Sequence, residues 1–391
     1  MTESTDIEGF IAAAVNLTTE LRTRAGESEQ CRRLADESIA AMTKAGLFRI
    51  LTPTAHGGSE AGLSAQVETL LVVSAADSAA GWVQLVSNAH AWMVGNFDPT
   101  CQEAVFAGPS EVIPGTLASQ GRAEPTDGGW LLNGRWQFAS GADHGDWLML
   151  GAGAKRSEAN PGGALHVVVP KDAMVIEDTW HVLGLRGTGS NDLVADDVFV
   201  PSEFAMSTAT LFNGESPHGE PHSTYLYRLP VLVCLSTQLA ASVVGMGVAA
   251  YEAYLDRTST RREVYTGAAK AEKVGTQMRV AESKVELDQA HDLVRRLAAR
   301  CDVVASTGER LTIDERVEMK FHASYAVELT RRSVDRLFAA SGAHGVYNDS
   351  ELQTRYRDVN TACHHAIVDL DGNLETYGRT LLGLDPATPL I

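Results

Sequence analysis

Apolar residues recur at helical spacing from residue 6 to residue 47. Ile7, Phe10, Ile11 and Leu17 make one stripe, and Leu34, Ile39, Met42 and Leu47 another, with Gly46 near the end. Pro53 and Gly57-Gly58 break that pattern into a loop over 52–62. Helical spacing returns over 64–95, interrupted near 78–81, and its second half sets Trp82, Val86 and His90 on one stripe at i, i+4 and i+8. Beyond Gly108-Pro109 the chain becomes β-branched and glycine-rich as far as Phe204. Strands are expected over 129–132, 135–139, 147–151, 165–170 and 192–200. Asn133-Gly134 reads as the tight turn of a hairpin between the first two, because both residues tolerate positive φ. Trp136 and Phe138, at period two, are expected on one face, with Arg135 and Gln137 on the other.

Residues 207–223, with Asn213-Gly214 and two prolines, read as an exposed linker. Helical patterns fill the remainder. The stretch 229–258 is apolar nearly all round, 268–305 and 312–341 are long and amphipathic, and 349–368 and 373–382 close the chain. Helices, then strands, then a bundle, with no strand-helix alternation, predict an α+β multidomain protein and exclude a doubly wound sheet. The expected division is an N-terminal α-helical domain (1–108), a middle β-barrel or sandwich domain (109–206) and a C-terminal α-helical bundle (207–391).

The chain has 391 residues, 44% hydrophobic and 21% charged, which is an ordinary globular composition. Its formal net charge of −18 argues against general nucleic-acid binding, which draws on a basic face. Cys31, Cys101, Cys234, Cys301 and Cys363 are scattered without a C-x-x-C pair, so reduced thiols in a cytoplasmic protein are expected, with no metal site or disulfide framework. The opening residues MTESTDIEGF carry no signal-peptide pattern, and no stretch reads as membrane-spanning. Gly151-Ala-Gly153-Ala is a partial G-x-G without the full dinucleotide fingerprint, so no nicotinamide site is expected.

Two blocks carry a resemblance. GGWLLNGRWQFASGADHGDW over 128–147, and GLRGTGS over 184–190 followed by DVFVP over 197–201, resemble the middle domain of the two-component, reduced-flavin-dependent monooxygenases built on the acyl-CoA dehydrogenase fold. The similarity runs over nearly the whole chain. It implies the oxygenase component of a two-component system, taking reduced FMN or FAD as a diffusible co-substrate from a separate NAD(P)H-flavin reductase. Oxygen would bind at flavin C4a as a hydroperoxide, and a small phenolic, polycyclic or indole-like aromatic would be hydroxylated. A homotetramer is expected, because the helix over 229–250 must be covered on every side.

The same resemblance distributes roles. Trp82 would pack beside the flavin, and His90 would point into the substrate pocket and orient the substrate, although a lone histidine on an apolar face is otherwise an ordinary core residue. Gly115, Thr116 and Leu117 would meet the isoalloxazine edge, or simply start a strand. Phe138, Ala139 and Ser140 would line the ring. The Ser140 hydroxyl, accepting or donating a hydrogen bond beside N5, would slow proton loss and peroxide elimination. Arg186, Thr188 and Ser190 would present donors to the flavin or its phosphate, Arg186 equally fitting a carboxylate partner. Arg261 resembles a phosphate-contacting arginine, and Gly342-Ala343 a flavin-edge turn.

Arg357-Asp358 followed by Cys363-His364-His365 occupies the place where acyl-CoA dehydrogenases carry a catalytic glutamate, which would fall at Ala366. The alternative position near Leu235 is not acidic either. His365, read as lying on a helix, would instead take a phenol proton as general base, with His364 as runner-up on another side of that helix. N- or S-oxygenation on the same fold, an acyl-CoA dehydrogenase, and a catalytically inactive helical interaction protein are the competing expectations.

Overall fold

A computed structural model describes residues 7–157, 160, 162–217, 222, 224–388 and 391. The N-terminal helices are α1 (Ile7–Cys31), α2 (Asp36–Lys44), α3 (Gly62–Ala76), α4 (Ser78–Val94) and α5 (Pro99–Phe106). The break between α3 and α4 falls on the single residue Asp77, whose carboxylate caps α4 by accepting from the backbone N–H groups of Ala79 and Ala80. The N-terminus of α3 is capped from afar: Asp302 accepts from the N–H groups of Leu63 and Ser64 at 2.6 and 2.9 Å.

The strands follow as β1 (Gly115–Thr126), β2 (Gly129–Ala139), β3 (Trp147–Ala154), β4 (Ala164–Pro170), β5 (Val175–Glu177), β6 (Asn191–Pro201) and β7 (Ala205–Ser207). They form one sheet in the order β5-β6-β2-β1-β3-β4-β7. That order is open, so the ladder does not close as a barrel, yet the sheet curls far enough to bring β4 near β6 around a core including Leu132, Trp136, Leu150, Val167 and Leu193. The expected hairpin at Asn133-Gly134 is absent. β2 runs straight through it, and the turn lies at Asp127-Gly128, where Gly128 has φ +74°. Asn133 instead bridges a bulge in the β2–β6 pairing: its side chain exchanges two hydrogen bonds with Asp197, itself at φ +51°. The shared face of Trp136 and Phe138 is also overturned. Trp136 is fully buried while Phe138, at φ +70°, turns its ring out and is 59% exposed.

Beyond the sheet come α6 (Thr208–Phe212), α7 (Val231–Thr260), α8 (Val274–Thr307), α9 (Ile313–Ala340), α10 (Glu351–Ala362) and α11 (Leu370–Leu381). Part of the expected 207–223 linker is therefore the short helix α6; its residues 218–221 and 223 lie outside the described residues. α7 is long and apolar enough to cross a membrane by length and composition, contrary to expectation, but 94% of its most apolar window is buried inside the chain. α3, α8, α9 and α10 cover it. Its apolar circumference thus needs no partner subunit.

The cores do not follow the order of the chain. One apolar cluster joins α1–α5 to the bundle, through contacts such as α3 on α7, and also takes in Met149 and Val168 from the outer face of the sheet. The second fills the inside of the curl. The sheet is consequently clamped between its own core and the helices, and its loops at the end of β2 and the start of β6 are pressed against α4.

Candidate active site

α4 supplies Trp82 and His90 from the stripe read in the sequence. Both are buried. The Trp82 indole Nε1–H donates to Ser140 Oγ at 3.2 Å. His90 Nδ1 lies 2.7 Å from the carbonyl oxygen of Ile113. A carbonyl has no proton to give, so Nδ1 carries it. Burial lowers the His90 pKa to about 4, against backbone hydrogen bonding at Ile113 and Pro114 that raises it, which keeps the ring neutral with Nε2 as its unprotonated nitrogen.

The sheet supplies the facing wall. At the end of β2 the left-handed Phe138 projects its ring, edge-on to Trp180 at 6.0 Å, and Ser140 follows it. Gly141 N–H donates to the Thr188 carbonyl at 2.8 Å, tying this loop to the turn before β6. Ser140 Oγ is 2.8 Å from Ser190 Oγ, and Ser190 Oγ is 2.7 Å from Thr188 Oγ1. Thr188 and Ser190, expected to meet a flavin, are linked to Ser140 through these hydroxyls. They are 1% and 2% exposed, and their hydroxyls are engaged with each other. Gly115, at φ +152°, sits where a Cβ would meet the Met149 carbonyl at 1.9 Å, so the parallel approach of β1 to β3 requires glycine there. Thr116 and Leu117 follow it, partly accessible.

The two sequence blocks around 184 and 357 hold each other. Asp358 accepts from the Leu185 N–H at 2.7 Å, Arg357 donates to the Leu183 carbonyl at 2.7 Å, and Gly184 packs so closely on the Arg357 backbone that a Cβ would lie 2.2 Å from its oxygen. That clamp fixes the chain leading to His365. Contrary to expectation the residue is not on a helix: α10 ends at Ala362, and His365 takes extended geometry, φ −68° and ψ 124°, before a single 3-10 turn over Ala366–Val368. Its ring meets Trp82 edge-on at 5.9 Å, while His364 is exposed. His365 Nδ1 accepts the Ile367 N–H at 3.3 Å. Desolvation lowers its pKa to about 4, although the residue keeps part of its surface accessible. A neutral ring that accepts at Nδ1 bears its proton on Nε2. His90 and His365 are therefore in opposite tautomers.

Not every expected site residue converges. Arg186 donates from Nε to the Val182 carbonyl at 2.8 Å and leans toward Glu29. A cavity of about 1030 Å³ lies on that side, lined by groups including Arg32, Asp77, Arg186, Arg355 and Arg357, and does not reach Trp82, Ser140 or His365. Arg261 donates to the Ser341 carbonyl with its guanidinium against Gly342, at the far end of α7. No contact joins Arg261, Gly342 or Ala343 to Ser140 among the described residues. Two neighbours were missed by sequence reasoning. Trp180 walls Phe138 and donates to the Leu185 carbonyl at 2.9 Å. His166 is fully buried and electrostatically linked to His90, its pKa lowered to about 3. Nothing in their local patterns distinguishes them from core residues.

An outturned flat aromatic, a hydroxyl beside it and an indole edge match the face and hydrogen-bonding edge of a flavin ring, and neither Ala366 nor Cys234 to Thr237 brings a carboxylate to them. Fold and site together define a flavin protein of acyl-CoA dehydrogenase architecture that lacks a carboxylate at Ala366 and at Cys234 to Thr237. Residues 237–370 match the family described as acyl-CoA dehydrogenase, C-terminal domain. The chain is 31% identical, over 93% of its length and 96% of the relative's, to the flavin-dependent monooxygenase oxygenase subunit HsaA of Rhodococcus jostii (strain RHA1). It is 31% identical to the oxygenase component of the FADH2-dependent resorcinol hydroxylase of a Rhizobium species, over 97% and 94% of the two chains. The structure of XiaF from a Streptomyces species, in complex with FADH2 and glycerol, superposes with a TM-score of 0.90 at 26% identity, covering 98% of this chain and 97% of that one. The chain belongs to the oxygenase components of the flavin-dependent monooxygenases.

Proposed function

We propose that this oxygenase component hydroxylates a phenol, with reduced flavin seated between Phe138, Ser140 and Trp82 and the substrate reached by His90 and His365. The observation that carries the reading is two neutral imidazoles in opposite tautomers, one of them against Trp82 beside the Ser140 hydroxyl, with no carboxylate at Ala366 or Cys234 to Thr237. Bound reduced flavin supplies the electrons that activate O2 for transfer of one oxygen atom to the ring. The protein's own work is to exclude water, orient the ring and move a proton. His90 Nε2, the unprotonated nitrogen of a ring anchored through Nδ1 on Ile113, accepts the phenol proton; this exchanges the role expected from the sequence with His365, whose Nε2–H serves as a donor. Trp82 and Ser140 hold the flavin edge.

A separate NAD(P)H-flavin reductase supplies the reduced flavin, a reading supported by relatives named as subunits and components. A homotetramer fits apolar side chains left outward on α8 and α11, such as Val274, Met278 and Leu381 at 67–69% exposed, and would let Arg261 and the 342–343 turn of a neighbouring subunit meet the flavin phosphate. The test is a panel of phenols, aryl amines and thiophenes offered with chemically reduced FMN or FAD and air. Oxygenated product from the phenols alone supports the reading; product from the amines or thiophenes alone replaces it with N- or S-oxygenation.

A further inference from the structure

Thr188, Ser190 and Ser140 form a line of hydroxyls that ends on a carbonyl, and this fixes the direction of every proton along it. Thr188 Oγ1 is 2.8 Å from the Leu185 carbonyl oxygen. The carbonyl can only accept, so Thr188 donates to it. Thr188 must then accept from Ser190 at 2.7 Å, and Ser190 from Ser140 at 2.8 Å. Ser140, having spent its proton on Ser190, accepts the Trp82 indole N–H with one lone pair and has one left. Reversing Ser140 would reverse Ser190 and then Thr188, and would leave two oxygens 2.8 Å apart at Leu185 with no proton between them. The anchor is itself held: Leu185 sits in the left-handed region at φ +53°, its N–H is bound by Asp358 and its carbonyl also receives the Trp180 indole.

We propose that this one-way hydroxyl chain makes Ser140 an obligate acceptor and so selects the redox state of the flavin. The proposal rests on the flavin seat described above. Reduced flavin carries a proton on N5 and can donate it to Ser140. Oxidised flavin carries a lone pair on N5 and would face another lone pair. Thr188 and Ser190 are thus positioning residues that act through Ser140, not flavin contacts.

The test measures Kd for oxidised and for reduced FMN and FAD anaerobically, together with the midpoint potential of the bound flavin. In Ser190→Ala the Ser140 proton is freed to turn to N5 of oxidised flavin; in Thr188→Val the chain loses its anchor and can reverse. Each should lower the ratio of oxidised to reduced Kd by about tenfold, the size of one hydrogen bond. A tenfold loss corresponds to a fall of about 30 mV in the two-electron potential of the bound flavin. Thr188→Ser, which keeps the hydroxyl, should retain the wild-type ratio. An unchanged ratio in Ser190→Ala and Thr188→Val overturns the proposal, as does an equal loss of both affinities. Wild-type protein that binds neither redox state overturns the flavin seat itself, which separates the two failures.

Discussion

On the sheet side of the site, around Ser140, each hydroxyl proton has one place to be; on the helix side, His90 and His365 are both neutral yet hold their protons on opposite nitrogens. The sheet-side order comes from a chain of short contacts anchored on a backbone carbonyl. The helix-side order comes from two separate backbone groups, an acceptor at Ile113 and a donor at Ile367. Desolvation lowers both rings to about 4, so the depressed pKa alone does not assign a base. The backbone partner does.

The largest expected effect breaks the symmetry of that histidine pair. His90→Asn should reduce hydroxylation by roughly a hundredfold or more, the usual scale of general-base help, while reduced-flavin affinity stays within about twofold. His365→Asn retains an N–H donor and should keep hydroxylation within about tenfold of wild type. Single-turnover product yields compare the two directly. The reverse ranking would restore His365 as the base. Next in size, Ser140→Ala should raise hydrogen peroxide release per flavin consumed by about tenfold, one hydrogen bond's worth of retention. Unaltered coupling would remove Ser140 from the flavin edge.

The smallest effect is on stability. His90, His166 and His365 are depressed to about 4, 3 and 4. The unfolded chain binds protons near pH 6.5 that the folded rings refuse, so stability present above that pH is lost as it falls toward 4. Asp77, raised to about 6 by desolvation, and Asp358, also raised, run the other way: their contribution is present when they are protonated and is lost as pH rises through their folded pKa. The three histidines together outweigh them. Unfolding at pH 5.5 should take up roughly one to two protons per chain, measurable by calorimetry in buffers of different ionisation enthalpy. Proton release there would mean the rings are charged in the fold.

What the sequence made legible follows from how local each cause is. Trp82 and His90 were readable because helical period alone puts them on one stripe of α4. The α-β-α order was readable from the change of period near residue 108. The Asn133-Gly134 turn failed because the dipeptide's tolerance of positive φ served a bulge opposite Asp197, a partner 64 residues away. A helix through His365 is expected because no glycine or proline marks the end of α10; the chain instead leaves α10 at Cys363 and restarts in a 3-10 turn that the His365 side chain caps by accepting from Ile367, which periodicity does not register. Outward covering of α7 was expected from its composition, but the N-terminal helices return to bury it. The hydroxyl chain was invisible for the same reason: Ser140 and Ser190 are fifty residues apart and meet only through the docking of two loops.

Oxygen transfer from O2 to a phenol ring is read by isotope labelling. Reduced flavin alone, without any reductase, is mixed with the protein, a phenol and ¹⁸O2 in a single turnover. One ¹⁸O atom is expected in the hydroxylated product and none from solvent water. Product carrying solvent oxygen, or oxidation of an acyl thioester in place of the phenol, would contradict that expectation.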